Sequence, residues 1–292
     1  MFNEAETACC GQLIDMALKE DLGAVGDLTS QAVVPADLIG RAAFKARAPG
    51  VVAGLPAAQM VCTTVEPRLN FESLIADGAE VNKGDRLAVV SGPMRGILAA
   101  ERTALNFLQR LSGIATHTKR FVQAVAGLPC KILDTRKTTP GWRLLEKYAV
   151  RQGGGTNHRM GLYDGILIKD NHLAAMPKVM LLIAMALRAG SKRAAEGMPV
   201  ELEVESLEQL DAALASNYPP EIVLLDNMPP DQMVEAVRRR NAKAPKVLLE
   251  ASGRVTLKTV RDIALTGVDR ISIGELTHSA PALDIALDYE AV

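Results

Sequence analysis

From about residue 130 the chain repeats one pattern: a short apolar run, a polar residue at its end, then a helical stretch. The runs are KILDT (131–135), GILIKD (165–170), VELEVES (200–206), EIVLLDN (221–227), KVLLEAS (246–252) and RISIG (270–274). Between them LLEKYAVRQ, AMPKVMLLIAMALRAG, SLEQLDAALAS, PPDQMVEAVRRRNAK and TLKTVRDIALTG read as helices. Ser206 with Gln209 three residues on forms a helix-start signature. Alternation of this length requires parallel strands joined by right-handed crossovers. Six strands are clear and a seventh can be drawn, so the expected fold is α/β, an open or incomplete (β/α) barrel.

The first 112 residues read differently. The stretch CGQLIDMALKEDLG is helical, and RAAFKARA, GVVAG, LNFESLI, RLAVVSG and RGILA are strand candidates punctuated by glycine turns. We expect an N-terminal α+β sandwich domain over 1–112, joined by the C-terminal segment 281–292, with the barrel over 113–280. The helical stretch 101–125 links them. ADGAEVNKGDRLAVVSG has the look of half a lipoyl-type carrier domain, but Arg95 stands in the turn where a modifiable lysine would be needed. The segment is therefore scaffold.

Charge is arranged locally. The chain carries 33 basic and 34 acidic residues, a net charge of −1, which gives no bulk attraction to nucleic acid or membrane. Yet six Lys or Arg and one acid, Glu146, lie between Arg136 and Arg159, followed or interrupted by Gly153, Gly154 and Gly155. Such a stretch expects an anion. Arg143, Lys147 and Arg151 fall at helical spacing and are expected to face water or another subunit. Cys9, Cys10, Cys62 and Cys130 make no C-x-x-C pair, and the four histidines show no zinc spacing. The N-terminus lacks a signal-like apolar core, so the expected location is the cytoplasm.

In parallel α/β folds the strand ends converge on the ligand. Here they carry Asp134, Arg136, Lys137, Lys169, Asp170, Asn171, Glu203, Glu205, Asp226, Asn227, Glu250, Ser252, Gly253 and Gly274. In ELEVE, alternation puts Glu201, Glu203 and Glu205 on one face, a load that calls for cations nearby. Lys169, the arginines of the basic stretch or a hard metal could supply them. Glu203 with Asp226 on the next strand is an oxygen pair suited to Mg²⁺. LLEASGR and ISIGELTHSAP each run from strand through glycine towards a helix, as phosphate-binding turns do. The residues alone thus describe a cationic mouth, a carboxylate pair and a phosphate corner, with positioning and electrostatics in place of a covalent nucleophile.

DTRKTTPG, GGGTNHR and LIKDNH, in this order, closely resemble the quinolinate phosphoribosyltransferase family. EDLGAVGDLTS, ERTALNFLQRLSGIAT, ELEVESLEQL, IVLLDNM, LEASG and IGELTHSAPALDIALDY extend the similarity over nearly the whole chain. The resemblance implies transfer of the phosphoribosyl group of phosphoribosyl pyrophosphate to quinolinate with decarboxylation. The products are nicotinate mononucleotide, pyrophosphate and CO₂, in de novo NAD biosynthesis, with Mg²⁺ as cofactor. It implies that Arg136, His158, Arg159 and Lys169 hold the dicarboxylate and that Lys137 faces the sugar donor. It further implies that Glu203 and Asp226 serve the ribose and metal, and that Ser252, Gly253, Gly274 and His278 bind phosphate. Catalytic roles would fall on Lys137, Lys169, Glu203 and Asp226. A homodimer would let Arg102 reach a neighbouring subunit's site, with a hexamer as the larger alternative. Arg254 and Glu275 depart from the pattern, since a glycine and a small residue are usual there. The rival reading is the related family associated with molybdenum transport, which shares the fold and much of the motif.

Overall fold

The computed structural model describes residues 1–169, 171–172 and 197–290; Asp170 and the helix expected over 175–190 lie outside the described residues. The chain forms two compact units. One comprises Met1–Lys119, Lys137–Gly154 and Leu276–Val292; the other comprises Arg120–Arg136 and Gly155–Glu275.

The first unit opens with helix α1 (Glu4–Leu22), whose start is fixed by a reciprocal cap. The Asn3 side chain accepts from the Glu6 N–H, and the Glu6 carboxylate accepts from the Asn3 N–H, both at 2.9 Å. A short helix α2 (Leu28–Val33) starts on Asp27. Strands β1 (Ile39–Ala46), β3 (Asn70–Ser73), β5 (Arg86–Pro93) and the C-terminal β12 (Ile285–Glu290) make an antiparallel sheet in the order β12-β1-β5-β3. β2 (Gly50–Val51) and β4 (Glu80–Val81) form a separate pair. α3 (Leu55–Val65) packs its alanines and Val61 inward. The RGILA segment, expected as a strand, is instead the start of α4 (Met94–Ala124). The reason is its period: Ile97, Ala100, Ala104, Leu108 and Leu111 are all buried, a helical spacing that alternation cannot satisfy.

Helix α5 (Arg143–Gln152) also belongs to this unit and corrects one expectation. Lys147 is fully buried, and Arg151 pairs with buried Glu6, so the basic face of this helix is not simply solvated. Gly153 ends it where a Cβ would come within 2.7 Å of Thr118 Cβ. That glycine is required by the close approach of α4.

The second unit is a single sheet of six parallel strands. They are β6 (Lys131–Leu133), β7 (Ile166–Ile168), β8 (Val200–Val204), β9 (Ile222–Asp226), β10 (Leu248–Ser252) and β11 (Arg270–Ser272), in the order β6-β11-β10-β9-β8-β7. Thr156 adds an isolated parallel bridge to Leu133 on the outer side of β6. Helices α6 (Leu207–Leu214), α7 (Pro230–Lys243) and α8 (Val260–Leu265) follow β8, β9 and β10. Ser206 caps α6 by accepting from the Gln209 N–H at 3.3 Å. The Gln209 side chain returns its bond to the Glu205 N–H at 2.7 Å, one residue before the cap.

Register decides which side chains share a face. Glu201 pairs with Ile222 and Glu203 with Leu224; Leu224 then pairs with Glu250, Asp226 with Ser252, and Glu250 with Arg270. One face therefore carries Glu201, Glu203, Asp226, Glu250, Ser252 and Arg270. The other carries Leu202, Val223, Leu225, Leu249, Ala251 and Ile271, all fully buried. The apolar core lies on that second face, which leaves the first for polar chemistry. Among the described residues no helix is long and apolar enough to cross a membrane.

Candidate active site

The polar face of the parallel sheet has two tiers. At the carboxyl ends stand Lys169, Glu203, Asp226, Ser252 and Gly253. Lys169 Nζ lies 3.1 Å from Glu203 Oε2, which answers part of the carboxylate load expected of ELEVE. Glu205 lies beyond the strand and is exposed, which removes its share. Asp226 accepts from the Asn227 side-chain amide at 2.8 Å. Asn227 and Arg254 both adopt positive φ, 54° and 47°, beside Gly253 at 103°. A Cβ on Gly253 would sit 2.6 Å from Asn227 Cγ, so this turn admits only glycine. The two turns line a cavity of about 530 Å³ with Met228, Met233 and Thr259.

One layer deeper the sheet carries Glu201, Glu250 and Arg270. His158 closes over them, its Nε2 3.1 Å from Glu201 and 3.4 Å from Glu250. Arg270 Nε lies 2.6 Å from the other Glu250 oxygen. The segment bearing His158 is fixed by buried Asp134 at the end of β6. Asp134 accepts from the His158 N–H at 2.9 Å and from the Asn157 side-chain amide at 2.5 Å. Burial alone would lower the His158 pKa, but the carboxylates of Glu201 and Glu250 beside the ring outweigh it and push it up to about 9. Burial raises the Glu201 carboxyl as well. The Arg159 N–H points at His158 Nδ1 at 2.8 Å and favours a ring without a proton there. The two tendencies are reconciled if His158 and Glu201 share one proton across the 3.1 Å Nε2–carboxylate contact while Nδ1 accepts.

Asn157, His158 and Arg159 line a cavity of about 290 Å³ with Glu201 and Arg270. Arg159 donates from Nη1 to the Gly165 carbonyl at 2.9 Å. Its pKa is lowered by burial and then by the positive charge of Arg136, so the two guanidinium groups share one electrostatic neighbourhood. Arg136 is itself exposed. The second unit thus assembles Arg136, His158, Arg159, Lys169, Glu203, Asp226, Ser252, Gly253 and Gly274 of the expected set. Arg102, Lys137 and His278 fall in the first unit, where all three are exposed, and His278 Nδ1 lies 2.6 Å from Ser279 Oγ.

The deeper tier escaped the sequence reading in part. Arg270 stands in phase with Ser272 and Gly274 in RISIG, the one signal in the sequence that marks it. Glu250 stands in phase with Ser252 in the same way. Among the described residues, the one group of three or more His, Cys, Asp and Glu whose ligand atoms converge is His158, Glu201 and Glu250; it is not the Glu203–Asp226 pair. Burial pushes the Cys10, Cys62 and Cys130 thiols up to about 12, so they are poor nucleophiles near neutrality.

Comparison with known proteins places this geometry in a family. Residues 27–112 match the quinolinate phosphoribosyl transferase N-terminal domain and residues 114–288 its C-terminal domain. The chain is 48% identical over 290 residues to the nicotinate-nucleotide pyrophosphorylase [carboxylating] of Mycobacterium leprae, covering 99% of this chain and 100% of that one. It is 42% identical to quinolinate phosphoribosyltransferase [decarboxylating] 1 of Nicotiana glauca over 95% of this chain and 81% of the relative. The solved nicotinate-nucleotide pyrophosphorylase of Francisella tularensis superposes with a TM-score of 0.89 at 37% identity, over 97% of both chains. The chain belongs to the quinolinate phosphoribosyltransferase family.

Proposed function

We infer that this protein is a quinolinate phosphoribosyltransferase (decarboxylating) of de novo NAD synthesis. It transfers phosphoribose from phosphoribosyl pyrophosphate to quinolinate and releases pyrophosphate and CO₂. The observation that carries the reading is end-to-end identity of 48% with a carboxylating nicotinate-nucleotide pyrophosphorylase. The polar tiers of the parallel sheet agree with it.

The physical roles follow from charge. Quinolinate brings two carboxylates, and Arg136, His158, Arg159 and Lys169 are the cations assigned to them. Burial and then the nearby charge of Arg136 depress Arg159, a situation an anionic ligand would resolve. The pyridine nitrogen needs no general base, because its lone pair is free. It attacks the ribose C1 as the C1–oxygen bond to pyrophosphate breaks, and Glu203 and Asp226 face the positive charge that develops on the sugar. Once the nitrogen is quaternary, the bond from C2 to its carboxylate breaks. The electron pair stays on the ring and takes a proton, and CO₂ leaves. Lys137 meets the sugar donor, and Ser252, Gly253, Gly274 and His278 hold phosphate.

Glu203 and Asp226 offer hard oxygen atoms on one face of the sheet and fit Mg²⁺, although Lys169 competes for Glu203. When bound, that ion would neutralise the departing pyrophosphate. We also assign Arg102, exposed on α4, to the site of a second copy in a homodimer.

The test is substrate choice. Purified protein with Mg²⁺ and the sugar donor should form nicotinate mononucleotide from quinolinate and not from nicotinate, which lacks the second carboxylate. Equal use of nicotinate would remove the double clamp. Arg136→Ala should raise KM for quinolinate by at least roughly thirtyfold, about 2 kcal/mol, the lower end for a charge pair losing one partner. Unchanged kinetics would take Arg136 out of the clamp.

A further inference from the structure

Glu250 has no role in the reading above, yet it is fully buried on the polar face of the sheet. A chain of contacts through His158 joins it to the diacid clamp. Arg270 Nε holds one carboxylate oxygen at 2.6 Å, and the other lies 3.4 Å from His158 Nε2. The His158 ring is then tied through Nδ1 to the Arg159 backbone N–H at 2.8 Å. The Arg159 guanidinium donates to Gly165 O at 2.9 Å and lines the cavity beside His158. Asp134 fixes the His158 backbone from the other side at 2.9 Å. His158 is thereby held at its backbone nitrogen and at both ring nitrogens. Glu201 holds the same Nε2 at 3.1 Å, so loss of the Glu250 charge would shift and loosen the ring, and with it the peptide that carries Arg159, without freeing it.

We propose that Glu250, anchored by Arg270, is a positioning residue that sets the enzyme's affinity for the diacid by fixing His158 and, through it, Arg159. The proposal rests on the functional reading above. The ligand atoms of His158, Glu201 and Glu250 all lie within 4.8 Å of one another, a spacing that a metal ion could also bridge. Arg270 argues against that occupant, because a dication would share Glu250 with a guanidinium already 2.6 Å away. With His158 and Glu201 sharing one proton, the charges of Arg270 and Glu250 already balance.

The experiment is steady-state kinetics on the full-length enzyme at saturating Mg²⁺, varying each substrate in turn. Glu250→Gln keeps the side chain's volume and removes its charge. It should raise KM for quinolinate roughly tenfold or more while KM for phosphoribosyl pyrophosphate moves less than about twofold. Glu250→Asp should recover part of the loss, and the double variant E250Q/H158N should be no worse than H158N alone. Equal shifts in both KM values, or additive effects in the double variant, would overturn the proposal, since a merely structural role predicts both. A stoichiometric transition metal in the purified enzyme that disappears in E250Q would overturn it too. Should E250Q fail to fold, Arg270→Lys carries the same test: the same split supports the proposal and its absence ends it. Failure of the unmutated enzyme to turn over would defeat the functional reading itself, whereas an active enzyme without the split defeats only this proposal.

Discussion

Glu146 is the one acid between Arg136 and Arg159, and it is fully buried. Its carboxylate accepts from Arg110 at 2.6 Å and from the Thr139 N–H at 3.2 Å. Arg110 also donates to the Thr277 carbonyl at 2.9 Å, and the Thr277 hydroxyl donates to the Lys137 carbonyl at 2.8 Å. The loop bearing Lys137 is thus pinned from beneath. Glu146→Gln should cost about 2 kcal/mol of stability, less than a fully buried pair because Arg110 keeps partial contact with water. Thermal melts would measure it, and an unchanged midpoint would remove the pair from the account. His158 gives a pH prediction. Its folded pKa is raised to about 9, so its contribution to stability is complete below the ordinary histidine value and is lost as pH rises through about 9. The difference in melting temperature between wild type and H158N should shrink over that window. A constant difference would place the proton elsewhere.

At the level of elements, the strands of the second unit are legible because each apolar run ends in a polar residue, and β8, β9 and β10 are each followed by a helix. KILDT, GILIKD, VELEVES, EIVLLDN, KVLLEAS and RISIG all contain one. RGILA misleads because five residues are too few to separate alternation from a helical turn; only the buried spacing from Ile97 to Leu111 does so. The buried state of Lys147 was equally invisible, since a helical charge spacing does not say what packs against it. Pairing of Glu250 with Arg270 required register, which a single strand's sequence cannot supply. Arg254 shows the converse case. It stands where a glycine is usual, and its φ of 47° explains that usage. Arg254→Gly should raise stability by about 1 kcal/mol by relieving left-handed strain. A loss of stability would mean that the arginine makes compensating contacts.

For the whole molecule, near-neutral charge conceals strong local order: cations are concentrated in one stretch and carboxylates on one face of one sheet. The proposed dimer makes a prediction at this scale. If Arg102 serves a neighbouring site, mixing inactive R102A and K169A chains should regenerate roughly a quarter of wild-type activity, from the one complete site in each hybrid dimer. No recovery after verified subunit exchange would place Arg102 in its own chain's site or outside any site. The central claim is that a clamp for two carboxylates and a pyrophosphorylated sugar meet on this chain and that one carboxylate then leaves. Quinolinate labelled in its C2 carboxylate tests it most directly, with released CO₂ and pyrophosphate counted together. The account predicts equal amounts of both, only when sugar donor and Mg²⁺ are present; pyrophosphate without CO₂, or CO₂ without the sugar donor, would contradict it.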